Sequence, residues 1–492
     1  MVTLLKYSVP DNLKGSDGVT IMEMLFIELE KNTAVPLYEQ IYNQIRRDIT
    51  DGKLLVGMKL PSKRKLGDFL NVSQTTIEYA YGQLNAEGFI SSVPRKGFFI
   101  QAIEELAYVQ PMNHEPKSLP VPPATVAIDF SPGDVDTNSF PFTQWRKYAK
   151  DVIDESSKNL LLLGDPHGDI ELRQEIAQYL YHSRGVDCTP EQVIVGSGTE
   201  QLMPLLIRIL GTDAIYAIED PGYLLTHHVF VHNNRDAIPV PVDEEGMDIQ
   251  ALQKSVATVA YLTPSHQFPT GTVLSAARRI TLLNWASAKD THFIIEDDYD
   301  SEFRYAGRPI PALQGMDKGE NVIYLSTFSK SLMPSLRIAY MVLPDVLLTK
   351  YRNAFIHYAS TVPRLDQHIL ARFMEDGQFS RHLNRMRTTY RRKLQTLIDA
   401  LQPYAPQISF SGEEAGMHIM ITVQTNENEE QLTEIAMHAG IRIYGLNKYR
   451  TQPVIGPPSF LIGFGGLSTE TITIGIDALM SAWKIKKSSE SD

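Results

Sequence analysis

The first hundred residues show a helical pattern of apolar positions. Apolar side chains at positions 37, 41, 42 and 45 share one helix face, and Pro36 suits a first turn, where no N–H is needed. Ser62 can cap a second helix from Lys63 to Leu70, and Ser73 can cap a third that ends near Ala86. The pattern therefore predicts three short helices in a row.

A β-hairpin is predicted directly after the third helix. Residues 89–92 and 98–100 have strand-like composition, and the turn between them, at 94–97, is basic. Three helices and a hairpin with a basic tip make one small domain, which we predict over residues 25–101.

Buried strands are predicted further along the chain. Ile294–Tyr299 is an apolar run that ends in acids, the pattern of a buried parallel strand whose polar end meets a loop. Val193–Val195 is another apolar run, and it leads into the glycine-rich turn Gly196–Thr199 and a helix from Glu200. A second, larger domain is predicted over residues 127–484.

The segments outside these domains have a different composition. Residues 102–126 are rich in proline, which disfavours helices and central strands, so they are predicted to be a linker. Residues 1–24 fit neither domain and are predicted to be a disordered tail, and residues 485–492 a polar tail.

Charge is unevenly distributed between the two domains. The chain has a net charge of −12, yet residues 31–100 carry 10 Lys and Arg against 6 Asp and Glu, a net of +4. A basic domain on an acidic chain predicts nucleic acid as a partner of the small domain. The alternative is a small protein-binding module.

Cysteine content and hydropathy favour a cytoplasmic location. A single cysteine, Cys188, excludes an intrachain disulfide and fits a reducing compartment. No apolar run reaches the roughly 18 residues of a membrane span, so no membrane contact is expected. No metal site is predicted.

Lys330 lies in a pattern that suits pyridoxal 5'-phosphate (PLP). It follows Ser326, Thr327 and Ser329 at the end of a predicted strand, and Arg337 comes seven residues later. Such a lysine can condense with the cofactor aldehyde as a Schiff base, while hydroxyls and a guanidinium hold the phosphate.

Other residues supply the remaining groups that PLP needs. Asp297, at a strand end, can pair with the pyridine nitrogen, and Tyr299 points to the same side. The turn Gly196–Thr199 with the following helix can hold a phosphate through backbone N–H groups. Tyr223 can lie over the ring. Each motif alone is more simply explained as a cap, a turn or a strand end.

Residues from about 127 to 480 resemble the fold-type I aminotransferases. The resemblance rests on Gly164–Gly168 with Glu171–Arg173, Ser197–Thr199, Asp220–Tyr223, Pro269–Gly271, Asp297–Tyr299, and Ser329-Lys330 with Arg337. It implies an α/β domain in which Lys330 carries PLP, Asp297 contacts the ring nitrogen, Tyr299 the ring hydroxyl, and Tyr223 stacks on the ring. The phosphate residues that it implies are Ser197, Gly198, Thr199, Thr327 and Arg337, and Ser329 is predicted as a further cofactor contact.

Residues 31–100 resemble a winged helix-turn-helix domain of the GntR type. The resemblance implies that the third helix enters the major groove and that the hairpin tip grips phosphates. The predicted DNA contacts are Arg64, Ser73, Gln74, Thr75, Thr76, Arg95, Lys96 and Gly97.

The fusion of these two domains resembles the MocR subfamily of bacterial transcription regulators. The runs Thr263–Gly271, Glu296–Tyr305 and Thr327–Leu332 are typical of it. The resemblance implies a homodimer that binds an operator with repeated half-sites, and a domain used for sensing rather than for catalysis.

Three positions depart from the patterns of proteins that bind amino acids. Aminotransferases carry an asparagine where Phe268 stands and a carboxylate-binding arginine where Leu461 stands; γ-aminobutyrate-sensing regulators carry an arginine at Leu225. We therefore predict PLP itself as effector, as in PdxR-type regulators of vitamin B6 synthesis genes. A sensor of γ-aminobutyrate or a D-amino acid compound, and an active aminotransferase, are the alternatives.

Overall fold

The computed structural model describes residues 25, 27–30, 33, 35–102, 126–305 and 310–488, which form two compact units. The predicted tail at 1–24, nearly all of the predicted linker at 102–126 and the end of the polar tail at 485–492 lie outside the described residues. No helix in these described ranges is long and apolar enough to cross a membrane.

The small unit has the predicted winged helix-turn-helix architecture. Its elements are α1 Leu37–Thr50, α2 Lys63–Leu70, α3 Gln74–Ala86, β1 Ile90–Val93 and β2 Gly97–Ile100. The two strands pair antiparallel, and Lys59 adds a bridge to Phe99 beside them. Ile45, Ile77 and Tyr81 are buried in the common core.

One local expectation about the first helix is wrong. Pro36 is the N-cap of α1 rather than a residue of its first turn, with extended angles of φ −57° and ψ 145°. Its carbonyl accepts the first helical hydrogen bonds, from the N–H groups of Glu39 (3.0 Å) and Gln40 (3.1 Å). A proline without an N–H suits this position just as well, because nothing precedes it in the helix.

The large unit is an α/β domain, as predicted. Its helices are α4 Phe142–Val152, α5 Ile170–Arg184, α6 Thr199–Leu210, α7 Leu224–His232, α8 Ile249–Lys254, α9 Ala276–Ser287, α10 Phe328–Ser331, α11 Asp345–Phe355, α12 Arg364–Glu375, α13 Gln378–Leu401, α14 Glu429–His438 and α15 Thr469–Ala482. Its strands are β3 Ile128–Asp129, β4 Val193–Gly196, β5 Tyr216–Asp220, β6 Ala237–Asp243, β7 Gly246–Met247, β8 Val259–Leu262, β9 Phe293–Asp298, β10 Val322–Thr327, β11 Ala339–Val342, β12 Ile408–Ser411, β13 His418–Val423, β14 Ile441–Arg442, β15 Tyr444–Gly445 and β16 Ser459–Gly463.

An eight-stranded sheet organises this unit, in the order β4-β11-β10-β9-β8-β5-β6-β7. The central strands from β10 to β6 pair parallel, and β11 runs antiparallel to both β10 and β4. Consequently β4, β5, β8, β9 and β10 all point the same way, and their carboxyl ends meet at one edge. In α/β sheets this edge is where ligands bind.

A smaller antiparallel sheet follows, in the order β12-β13-β16-β15. Beside it, β14 pairs parallel with β3, so that Ile441 lies opposite Ile128. The chain therefore returns at its C-terminal end to the strand that opens the large unit. Buried residues of both sheets and of α12, α13 and α15 form one continuous core.

Candidate cofactor site and DNA-contact surface

A cavity of about 350 Å³ opens where the parallel strands end. The predicted cofactor residues that line it are Lys330, Asp297, Tyr299, Tyr223, Gly198, Thr199, Thr327, Ser329 and Arg337. Ser197 is not among the lining residues; its backbone N–H donates to Gln201 Oε1 (3.2 Å) and Thr361 Oγ1 (3.1 Å).

Lys330 is held by the short helix α10 that follows β10. Thr327 caps this helix, with its Oγ1 accepting a hydrogen bond from the Ser329 N–H at 3.1 Å. The Lys330 ammonium donates to the carbonyls of Pro132 and Gly133, each at 2.8 Å. Burial lowers the pKa of Lys330 to about 8, against Asp300 and Asp134, which raise it. A lysine amine with a lowered pKa is a better nucleophile at neutral pH.

Asp297 is the last residue but one of β9, and it lines the cavity. Burial raises its pKa to about 7, and the Tyr261 hydroxyl, which donates to Oδ2, opposes this rise. Such a carboxyl is costly to ionise alone but favourable beside a cationic group. Asp297 can therefore hold a protonated ring nitrogen.

Gly198, Thr199 and Arg337 of the cavity lining form a cradle for an anion. Gly198 has φ +138°, a backbone conformation that strains any residue with a Cβ, so this turn favours glycine. Thr199 opens α6, where N–H groups of a helix's first turn lack intrahelical partners. Arg337 forms an ion pair with Glu200 that is half exposed on both sides.

The remaining walls are aromatic and apolar. Tyr223 meets Phe268 edge to face, with ring centroids 5.5 Å apart. Leu225 and Val229 of α7 also line the cavity. Leu461 does not: it is fully buried within β16.

Among the described residues, the cavity lining contains no second arginine that could bind a carboxylate in place of the arginine that aminotransferases carry at the position of Leu461. Arg442, a candidate by its position in the chain, instead pairs with Asp129 at 3.0 Å. Arg450 is absent from the lining as well.

Several residues of the site were missed from the sequence. Tyr261, Tyr449 and Glu200 line the cavity, and the His266–Asp300 pair contacts Tyr299 from behind. Glu200 has a sequence signal, since it directly follows the predicted phosphate turn. Tyr261 and Tyr449 have none, because they lie 36 residues before Asp297 and at the far end of the domain.

The predicted DNA-contact residues lie on the surface of the small unit. Gln74 and Thr75 are exposed at the start of α3, and Arg95 and Lys96 are exposed at the hairpin tip beside Gly97. Arg64 is exposed on α2 and lies 4.0 Å from Asp68.

Ser73 and Thr76 are engaged in capping α3. Ser73 Oγ accepts from the Thr76 N–H at 3.1 Å and lies 2.8 Å from the Thr76 hydroxyl. These hydroxyls hold the start of the helix, which leaves Gln74 and Thr75 as the exposed polar pair there.

Comparisons with known proteins agree with both units. Residues 125–479 match the family "Aminotransferase class I and II", and residues 37–100 match "Bacterial regulatory proteins, gntR family". The HTH-type transcriptional regulator YdeL of Bacillus subtilis is 42% identical over 460 residues, which are 93% of this chain and 99% of YdeL.

Two relatives of the same two-domain type have more specific names. The rhizopine catabolism regulatory protein MocR of Rhizobium meliloti is 30% identical, over 94% of this chain and 96% of MocR. The pyridoxine biosynthesis regulator PdxR of Corynebacterium glutamicum is 31% identical, over 85% of this chain and 89% of PdxR. The chain belongs to the MocR subfamily of GntR regulators.

The large domain of this MocR-subfamily regulator has the fold of working aminotransferases. The crystal structure of Pyrococcus horikoshii kynurenine aminotransferase in complex with PMP matches with a TM-score of 0.66 and 25% identity, over 73% of this chain and 91% of that one. The aminotransferase fold implies PLP, and the cavity fits it: an amine, a buried acid and an anion cradle surround one space.

Proposed function

We propose that this regulator binds PLP at Lys330 and that PLP occupancy controls its affinity for an operator of vitamin B6 synthesis genes. One observation supports this most directly. Lys330, Asp297 and Arg337 line a single cavity in a chain that also carries a winged helix-turn-helix unit. Acting on DNA, the protein works in the bacterial cytoplasm.

Each cavity residue has a role toward the cofactor. Lys330 binds the aldehyde, Asp297 faces the ring nitrogen, and Tyr223 covers the ring. The Gly198–Thr199 turn, Thr327, Ser329 and Arg337 hold the phosphate, with Ser197 bracing the turn from behind. When bound, PLP supplies an electrophilic carbon and an electron-withdrawing ring.

The cavity walls argue against an amino-acid effector. Bidentate arginine–carboxylate pairs are strong and specific, and their loss removes several kcal/mol of binding. Arg337, the arginine that lines the described cavity, is paired with Glu200 at the anion cradle. Leu225 offers only apolar surface. The similarity to PdxR, which is named for pyridoxine biosynthesis, supports vitamin B6 synthesis as the pathway.

An operator titration tests this effector. The PLP-loaded and apo proteins should differ at least tenfold in affinity for an operator selected from random DNA, which requires only about 1.4 kcal/mol of coupling. Added γ-aminobutyrate or D-alanine should change neither curve. Identical apo and PLP curves, with a shift on adding an amino acid, would overturn PLP as effector.

Catalysis is the competing function, favoured by the intact Lys330 and Asp297 pair. A half-transamination assay with a panel of amino acids and a keto-acid acceptor separates the two. We expect no turnover above that of free PLP, because the described cavity lining lacks a free arginine to bind the carboxylate of the substrate.

The wing supplies a test of DNA binding. Lys96→Ala should weaken operator binding and lower the salt slope of log K by about one unit, since one phosphate contact is lost. Lys53→Ala is the matched control, because Lys53 is already paired with Asp48 and Asp51. Equal slopes for Lys96→Ala and wild type would remove the wing from the DNA interface.

An exposed leucine run supports the expected homodimer. Leu161, Leu162 and Leu163 are 77%, 69% and 88% exposed in the single chain, an apolar surface that a second copy would cover. A two-fold dimer brings two winged helices to repeated half-sites. Leu163→Asp should shift the mass measured by light scattering from that of a dimer toward that of a monomer. Leu55→Asp, which introduces the same acid at an exposed position of the small unit, should leave the mass unchanged. A monomeric wild type would refute the dimer.

A further inference from the structure

A buried cluster lies directly behind the cofactor cavity. His266, in the loop after β8, and Asp300, just beyond β9, are almost fully buried, at 1% and 2% side-chain exposure. His266 Nδ1 lies 2.9 Å from Asp300 Oδ2 and 2.9 Å from the Tyr299 hydroxyl. Tyr299 lines the cavity, whereas His266 and Asp300 do not.

The direction of these hydrogen bonds follows from which atoms carry a hydrogen. A carboxylate only accepts, so Nδ1 must carry the hydrogen that lies between His266 and Asp300. Nδ1 then has no lone pair left for the phenol, and the Tyr299 oxygen must share the same hydrogen as an acceptor. The phenol keeps its own hydrogen, which the Asp300 carboxylate can accept and which can instead point into the cavity.

The backbone around the cluster holds the imidazole in this place. Gly416 has φ +76°, and a Cβ on it would lie 2.1 Å from His266 Cε1 and 2.8 Å from Asp300 Oδ2. The Tyr305 hydroxyl donates to the Gly416 carbonyl at 2.6 Å, which fixes the glycine against the ring. The imidazole therefore has little freedom to turn away from Tyr299.

We propose that His266 and Asp300 form a positioning relay that keeps Tyr299 a hydrogen-bond donor toward the ring oxygen of bound PLP. The inference rests on the proposed binding of PLP. It matters here because Phe268, which lines the same wall, has no polar side-chain atom. A donor to this oxygen must therefore come from another side chain of the cavity lining, and the proposal assigns that role to Tyr299.

Other charged and titratable groups face the relay and the lysine. Asp300 and Asp134 act on Lys330, and both raise its pKa. Asp300, Asp297 and Glu219 lie near Tyr299, whose pKa is raised well above its usual value, first by burial and then by these acids. His418 lies 5.2 Å from His266 between ring centroids, and burial holds the pKa of His418 well below its usual value.

A donor on the ring oxygen changes an observable property of the PLP-loaded protein. It stabilises negative charge on that oxygen, so the proton shared with the Lys330 nitrogen is held less tightly. The visible absorbance band changes with pH as this proton is lost, and we call the pH of half-change the band midpoint. Loss of the donor should raise the band midpoint by about one unit.

Two substitutions of nearly equal shape separate the relay from mere loss of the ring. In His266→Asn, the amide nitrogen can take the place of Nδ1 and donate to both Asp300 and Tyr299. In His266→Leu no donor remains. The band midpoint should stay near that of wild type in His266→Asn and rise by about one unit in His266→Leu and in Tyr299→Phe.

The double variant His266→Leu/Tyr299→Phe completes the test. If His266 acts through Tyr299, the double variant should have the midpoint of Tyr299→Phe alone, because the two effects are not additive. Equal midpoints for His266→Asn and His266→Leu would overturn the relay, as would additive shifts. Such results would mean that the phenol donates to Asp300, or that His266 acts only through the charge of its imidazole.

If His266→Leu does not fold, Tyr299→Phe still tests the relay, because the Tyr299→Phe variant keeps the His266–Asp300 pair. An unshifted midpoint in Tyr299→Phe would also overturn the relay. A wild type without any visible band after PLP loading would instead overturn the proposed cofactor binding itself.

Discussion

Lys330→Ala should abolish the visible band of covalently bound PLP and leave no adduct after borohydride reduction. Lys330 is the amine that lines the described cavity, and a methyl group cannot condense with an aldehyde. Absorbance spectra and intact mass of the reduced protein give the result directly. The variant should also lose its operator response to PLP, because both follow from the same occupancy.

Lys318→Ala is the control for this experiment. Lys318 is exposed on the same domain and lies outside the cavity lining, so its loss should leave the band and the adduct unchanged. A full-yield adduct in Lys330→Ala, on any other lysine, would contradict the assignment.

Asp297→Ala should weaken PLP binding by about two to three and a half orders of magnitude. Removing one partner of a buried charge pair costs about 3–5 kcal/mol, and 1.4 kcal/mol corresponds to a factor of ten. Asp297 is 6% exposed, so water cannot replace the carboxylate beside the ring nitrogen. Fluorescence titration of the apo protein with PLP measures the dissociation constant.

The apo fold should survive this change. Burial raises the pKa of Asp297 to about 7 in the folded protein, above its unfolded value, so stability is lost as pH rises toward 7. Replacing an acid that is costly to ionise should not lower the melting temperature of the apo protein at pH 8, and Asp297→Asn keeps the shape for comparison. Asp290→Ala, an exposed acid before the same strand, is the control. Unchanged PLP affinity in both Asp297 variants would reassign Asp297 to a structural role.

The three consecutive acids at the end of β9 have different roles, because successive side chains of a strand point to opposite faces. Glu296 accepts from the N–H groups of Leu313 (2.8 Å) and Gln314 (3.0 Å), and Asp298 pairs with Arg184 at 2.7 Å. Both acids are therefore used inside the fold. Asp297, which alternates with them, turns to the opposite face and is the one that lines the cavity.

Much of this architecture is determined by local sequence. Ser62 and Ser73 cap α2 and α3 where the sequence predicts, since capping and helix periodicity depend only on near neighbours. The order of strand ends bearing Gly198, Asp297 and Lys330 is also local information. A parallel sheet brings such ends to one edge, so the sequence could predict that they meet.

Tertiary structure decided how these residues are used, because the deciding contacts join residues far apart in the chain. Ser197 donates its N–H to Thr361, 164 residues away, and does not line the cavity. Arg337 meets Glu200 across 137 residues, and Lys330 reaches the Pro132 carbonyl across 198. Periodicity and capping contain no information on such distances. The sequence determined which chemical groups the protein has and in what order, and the packing of sheet and loops decided which groups face the cavity and which support them from behind.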